Sequence, residues 1–145
     1  MRAHIGGQAT LSMTDAADKA LWAVGRGNVY GVAFSKDRGR AVWCVDIRKD
    51  QWSGAMCQVD VVSGQVYVRD TSCVPSVVFE RMSRMSLEDA IELASEVQSG
   101  VLEEARLEIN WGQMVWEVYF VDEEDTSRVV YVDADSGAIV EPMYY

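Results

Sequence analysis

The hexapeptides Val42-Trp43-Cys44-Val45-Asp46-Ile47 and Val115-Trp116-Glu117-Val118-Tyr119-Phe120 lie 73 residues apart and read as one strand written twice. Both are rich in β-branched and aromatic residues, the types that suit a pleated, half-buried surface. At the same offset, and without a gap, Ala17 falls on Ala90, Val24 on Val97, Gly27 on Gly100 and Gly39 on Gly112. Val59-Asp60 falls on Val132-Asp133, and Ser63-Gly64 on Ser136-Gly137. Self-similarity at a fixed period implies one supersecondary unit used twice. The expected division is a first repeat with an N-terminal extension over 1–72, then a linker and second repeat over 73–145. The linker runs from Thr71 to Arg84 and contains Pro75. Val77-Val78-Phe79 could add a short strand or a plug there.

Each unit opens with a helix. In the second, Ser86 is the expected N-cap, with Glu88 and Asp89 in the first turn. Ala90, Leu93, Ala94 and Val97 then form an apolar stripe that Gly100 ends. In the first, the stripe is Ala17, Ala20, Leu21 and Val24 after Thr14, ending near Gly27. The period then changes to two, predicting strands over 29–35, 41–47, 55–61 and 65–68. Their counterparts are a strand through Ala105, Leu107 and Ile109, then 114–121, 129–134 and 138–140. The predicted fold class is α+β, two tandem repeats, each one helix packed on a four-stranded antiparallel sheet. Asp60-Val61-Val62-Ser63-Gly64 and Asp133-Ala134-Asp135-Ser136-Gly137 fit a tight hairpin turn. In each, the Asp accepts turn N–H groups and the Gly takes a positive φ. Asp60, Gly64, Asp133 and Gly137 are therefore read as turn builders.

The length of 145 residues suffices for a core without metal or disulfide staples. A net charge of -10 argues against nucleic acid as a partner. The charge is unevenly spread. Residues 1–72 hold nine Lys/Arg and seven Asp/Glu, while 73–145 hold four and sixteen. Solubility explains this, and an acidic half could also steer a basic partner. No apolar run is long enough for membrane insertion, and residues 1–12 lack the apolar core of a signal peptide. A cytosolic chain and one that has lost its signal remain equally compatible with that.

Cys44, Cys57 and Cys73 show no metal-ligand spacing. If the hairpin between their strands centres near Asp50 and Gln51, Cys44 and Cys57 oppose one another and a cross-strand disulfide becomes geometrically available. His4 is the only His, so nucleophilic triads and zinc sites lack their usual residues. No phosphate loop is present. Asp122-Glu123-Glu124-Asp125 reads as a solvated turn and not a calcium loop. No catalytic, metal or cofactor site is expected.

The helix from Ser86 through Ala90, Ile91 and Ala94, Gly112 before Val115-Trp116-Glu117-Val118, and Val132-Asp133-x-x-Ser136-Gly137-x-Ile139 resemble the PepSY domain family. The likeness is good over Ser86 to Glu141 and looser over Met13 to Asp70, where Cys44 replaces the Glu117 of the second unit. It implies a non-enzymatic module of secreted and cell-envelope proteins, found in propeptides of thermolysin-type peptidases, with a peptidase-inhibiting or regulatory role. It brings no catalytic residues. The alternative is a structural protein that self-associates as a homodimer.

Alternation also suggests a binding surface. If Trp43, Val45, Ile47 and Trp116, Val118, Phe120 face the helices, then Val115, Glu117, Tyr119 and Val121 face away, with Val130 and Val132 beside them. In the first unit Val42, Cys44 and Asp46 would do so, with Cys57 and Val59. Such an apolar face would need covering, so Val115, Glu117, Tyr119 and Val121 are expected to meet a protein partner or dimer mate. Trp22 and Trp111 have no counterpart in the other unit and are candidates for inter-unit packing or partner contact. Trp52, in a hairpin loop, is the best candidate for an exposed aromatic contact.

Overall fold

Ser12 and Ser86 cap the two helices, each side chain accepting the backbone N–H three residues on, from Asp15 at 3.1 Å and Asp89 at 3.2 Å. In the computed structural model, which describes residues 4–5, 8–9, 11–71 and 85–140, these helices are α1 (Met13–Val24) and α2 (Leu87–Val97). The cap of α1 is thus Ser12, not a residue at Thr14. Ser12 and Ser86 stand 74 residues apart, and so do the buried pairs Met13/Leu87, Ala16/Ala90, Ala17/Ile91 and Ala20/Ala94. The ungapped offset of 73 therefore fails in the helices. Helix α1 is one residue longer and ends on Gly25 in the left-handed region, φ 92°, whereas α2 ends on extended Gln98. The buried stripe of α2 is centred on Leu87, Ala90, Ile91 and Ala94, and Val97 is exposed.

A two-residue hairpin, β1 (His4–Ile5) with β2 (Gln8–Ala9), precedes α1. Four strands follow α1: β3 (Asn28–Asp37), β4 (Arg40–Arg48), β5 (Gly54–Asp60) and β6 (Val66–Thr71). Four more follow α2: β7 (Val101–Asn110), β8 (Gln113–Val121), β9 (Ser127–Asp133) and β10 (Ile139–Val140). They do not form two sheets. They form one eight-stranded sheet in the order β10-β9-β8-β7-β3-β4-β5-β6, antiparallel at every pairing. The seam is a short pairing of β3 with β7, with Gly31 on Arg106, Val32 on Ala105 and Ala33 on Glu104. A strand with a free edge is a template for pairing, and here each set of four offers its first strand to the other. The expected linker strand at Val77–Phe79 lies outside the described residues.

Register corrects the assignment of faces. Trp43 pairs with Val59, Val45 with Cys57, Trp116 with Val132 and Val118 with Val130. Directly paired residues share a face. Cys57, Val59, Val130 and Val132 therefore lie on the helix side and join one continuous core with Val32, Ala105, Leu107 and the buried stripes of both helices. Both helices cover the same side of the sheet. Cys44 pairs with Gln58, one residue from the register a disulfide needs, so Cys44 and Cys57 point to opposite faces as free thiols.

Trp43 and Trp116 are almost wholly buried, and a buried indole N–H needs an acceptor. Trp43 donates to the Leu11 carbonyl at 3.0 Å, and Trp116 to the Met85 carbonyl at 3.1 Å. Each acceptor is the residue just before a helix cap. Removing the donor from Trp43 with Phe preserves most of the packing but leaves that carbonyl short of a partner. Trp43→Phe is expected to lower unfolding stability by about 1 kcal/mol in urea titration, with an unchanged m-value.

Candidate functional site

The two Asp-x-x-Ser-Gly turns are built alike. Asp60 accepts the N–H groups of Val62 at 2.9 Å and Ser63 at 2.8 Å, and Asp133 those of Asp135 at 2.9 Å and Ser136 at 2.7 Å. Gly64 (φ 76°) and Gly137 (φ 80°) each donate back to the Asp carbonyl, the G1-bulge arrangement that needs a residue at positive φ. The residues after the two Asp then hold the chain ahead of each helix. Leu11 N–H donates to the Val61 carbonyl at 3.0 Å, and Met85 N–H to the Ala134 carbonyl at 3.1 Å. Asp60 also receives both Nε and Nη2 of Arg40, at 3.1 and 2.7 Å, and Asp133 receives Gln113. The Ser63 and Ser136 N–H groups are the main cause, with Arg40 and Gln113 next, that holds the two carboxyls at about 2.

The side of the sheet away from the helices is the candidate interaction face. No described element covers it. Its centre is the seam, where Arg106 on β7 reaches across β3 to Asp46 on β4 at 3.1 Å and holds Glu104 on its own strand at 3.2 Å. Gly31 makes this reach available. It pairs with both Arg106 and Asp46, and a Cβ there would meet Arg106 Nη1 at 2.8 Å. Beside this row, Glu117 accepts the Tyr119 hydroxyl at 2.7 Å and the Asn110 amide. Partial burial, then the bond to Glu117, pushes the Tyr119 phenol up. Glu108 has a raised pKa through partial burial and the neighbouring Glu117 charge. Four carboxylates, Asp46, Glu104, Glu108 and Glu117, thus surround one guanidinium.

The centre of this face is charged, and by register Val42 and Cys44 on one side and Val115, Tyr119, Val121 and Val129 on the other share the face around it, so the expected apolar surface is interrupted by charge at the seam. Of the expected contact residues, Glu117 and Tyr119 sit together on it and Val121 lies half-buried at the end of the same strand. Val115 is fully buried. Trp52 belongs to the β4–β5 turn, across the seam from β8, and is 73% exposed. Neither unmatched Trp packs between the halves. Trp22 is 86% exposed on α1, and Trp111, at φ 54° in the β7–β8 turn, lies edge-on to Tyr131 at 5.5 Å. Asp46, Glu104, Arg106 and Glu108 were missed as a group. Alternation along β7 puts Glu104, Arg106 and Glu108 on one face, but nothing local predicts that β3 is their neighbour. In the acidic run, Asp122 accepts the Glu124 and Thr126 N–H groups, both at 2.9 Å, and Arg128 at 3.1 Å, which makes it a turn builder too. Desolvation raises both described thiols, Cys57 to about 11.

Residues 84–141 match the PepSY family, described as "Peptidase propeptide and YPEB domain". This is less than half of the chain, and it coincides with the stretch whose resemblance rests on Ser86 to Glu141. A crystal structure of a candidate lipoprotein from Clostridium difficile 630 has the same fold, with a TM-score of 0.55 and 16% identity. The likeness covers 90% of this chain and 91% of that one, so it includes the half before the family match. No curated protein sequence matches the chain.

The Asp60 turn has a pH signature. A carboxyl at about 2 in the folded chain, below its usual value near 3.9, contributes stability that is complete above the unfolded value and lost as pH falls through about 2. Acid titration followed by circular dichroism should show wild type losing stability between about pH 4 and 2. Asp60→Asn, less stable at neutral pH, should show a shallower loss over that interval.

Proposed function

We propose that this chain, with its PepSY domain at 84–141, is a non-enzymatic secreted or cell-envelope module that docks a protein partner on the open face of its sheet. The partner class is a peptidase, as the family description suggests. The observation that carries the reading is the location of fixed charge. Both helices lie on one side, and the uncovered side presents, at its centre, carboxylates held in place by Arg106, Tyr119 and Asn110. Side chains already held by hydrogen bonds lose little entropy when a partner arrives. The surplus of carboxylates favours a partner with a basic surface and speeds its encounter.

The first half, 1–72, is read as a second, divergent PepSY-like repeat. Its support is local. A register shift between Val29 and Gly31 recurs between Leu102 and Glu104, and the Asp turn and the Trp-to-helix bond recur as well. The secreted or envelope address rests on the family and on the lipoprotein that shares the fold. Among the described residues no helix is long and apolar enough to cross a membrane.

Mature thermolysin-type peptidase mixed with the purified chain provides the test. Inhibition is expected, and Glu117→Lys or Tyr119→Lys should weaken it by about tenfold or more while leaving the circular dichroism spectrum unchanged. Undiminished inhibition by both variants would move the contact off this face. No inhibition and no complex in light scattering would remove the peptidase from the reading.

A further inference from the structure

We infer that β6 is a self-pairing edge, through which two copies of this chain join their sheets in antiparallel register about a two-fold axis at Val68. The inference concerns a different surface from the docking face and does not depend on it. Among the described residues the sheet ends on one side in β10, two residues long, and on the other in β6, six residues long. Asp60 N–H donates to the Gln65 carbonyl at 2.9 Å, which makes this a hydrogen-bonded pair. Antiparallel ladders alternate, and β6 pairs with β5 without a register shift. Tyr67, Arg69 and Thr71 therefore turn their backbone groups toward β5, and Val66, Val68 and Asp70 turn theirs outward.

A second copy has the same three residues facing out. A two-fold axis perpendicular to the sheet, placed at Val68, satisfies all of them at once. Val68 pairs with Val68, and Val66 with Asp70 in both directions. The side-chain matches also agree. Val68 is 47% exposed and Tyr67 46%, large values for apolar side chains of a sheet. On the helix side the two Val68 side chains meet. On the open side Tyr67 of each copy stands opposite Arg69 of the other, a ring against a guanidinium. Lys19 and Asp18 both line the shallow surface pocket that Val66 shares with exposed Trp22, so Asp70 of the second copy would arrive beside one charge of each sign.

Charge favours a contact between copies through this edge over one through the acidic half. The net charge of -10 makes copies repel, but the surplus sits in residues 73–145. Joining at β6 leaves β7 of one copy nine strand spacings from β7 of the other, about 43 Å at about 4.8 Å each. That is several times the Debye length of about 10 Å at ordinary salt. The halves brought together, 1–72, are the ones with a slight excess of Lys and Arg.

Size-exclusion chromatography with light scattering on the whole chain, over a range of concentrations, should give the dimer mass at the upper end. Val68→Lys puts two ammonium groups opposite one another and should return the monomer mass with an unchanged far-ultraviolet spectrum. Hydrogen exchange on the unaltered chain keeps the test independent of that variant. The Val66, Val68 and Asp70 amides should gain protection as concentration rises, while the Tyr67 and Arg69 amides should be protected throughout. A monomer at all concentrations would overturn the inference. So would a dimer that Val68→Lys leaves intact, or Val66, Val68 and Asp70 amides whose exchange ignores concentration. Protection gained only when a different protein is added would assign the edge to that protein instead. Failure here leaves the peptidase reading standing, since no β6 residue takes part in it.

Discussion

Two buried indole N–H groups organise this molecule. Trp43 and Trp116 lie in the middle of β4 and β8 and have no water to bond. Their acceptors are the carbonyls of Leu11 and Met85, the residues immediately ahead of the helix caps. The N–H groups of those same two residues are held by Val61 and Ala134, inside the Asp turns. One residue therefore ties strand, turn and helix in each half. The position of each helix on the sheet follows, because its first turn is anchored at both backbone groups before the stripe begins to pack. The small residues of the stripes, Ala16, Ala17 and Ala20 against Ala90 and Ala94, then let the helices lie close to the strands.

That arrangement explains which parts of the fold were legible. Strand identity and turn chemistry are local, and the alternation through Trp43 and Trp116 and the Asp-x-x-Ser-Gly spacing state them openly. Facing is not local. A single residue of register, Cys44 on Gln58 in place of Cys57, moved Cys57 and Val59 from the open side to the core and removed a disulfide, and the register of β8 on β9 did the same for Val130 and Val132. Continuity of the sheet was also hidden. A pattern repeated at 73 residues fits two separate sheets and one joined sheet equally, because the joint consists of three residue pairs. The helix offset of 74 could have been noticed from Ser12 and Ser86, since both precede an Asp by three residues. The ungapped strand match concealed it.

The same point applies to the candidate site. Arg106 reads as an ordinary polar position on an alternating strand, and Asp46 as another, 60 residues away. Only the β3–β7 seam brings them within 3.1 Å. Gly31 is the residue that would have been hardest to interpret from sequence, since it sits within a strand, where glycine weakens packing. Its lack of a side chain is what lets the guanidinium cross β3. The charged centre of the open face thus depends on a joint that no short motif encodes.

An open face and an open edge make different demands on a protein that must stay soluble. A face tolerates water better the fewer apolar groups it shows, and the register helps by sending Cys57, Val59, Val130 and Val132 to the helix side. An edge cannot be made polar by side chains alone, because its backbone groups remain directional and unpaired. Edges are usually blunted by brevity, by a bulge or by charge. The β10 side is short, and it closes the acidic half. The β6 side is longer, has no bulge, and alternates Val66, Val68 and Asp70 outward with Tyr67 and Arg69 between them. Asp70 is drawn back to Lys49 at 2.8 Å, so the strand's own carboxylate is partly neutralised. Of the free boundaries of the described sheet, β6 is the one that physical constraints leave least protected, and it lies at the end farthest from the surplus of negative charge.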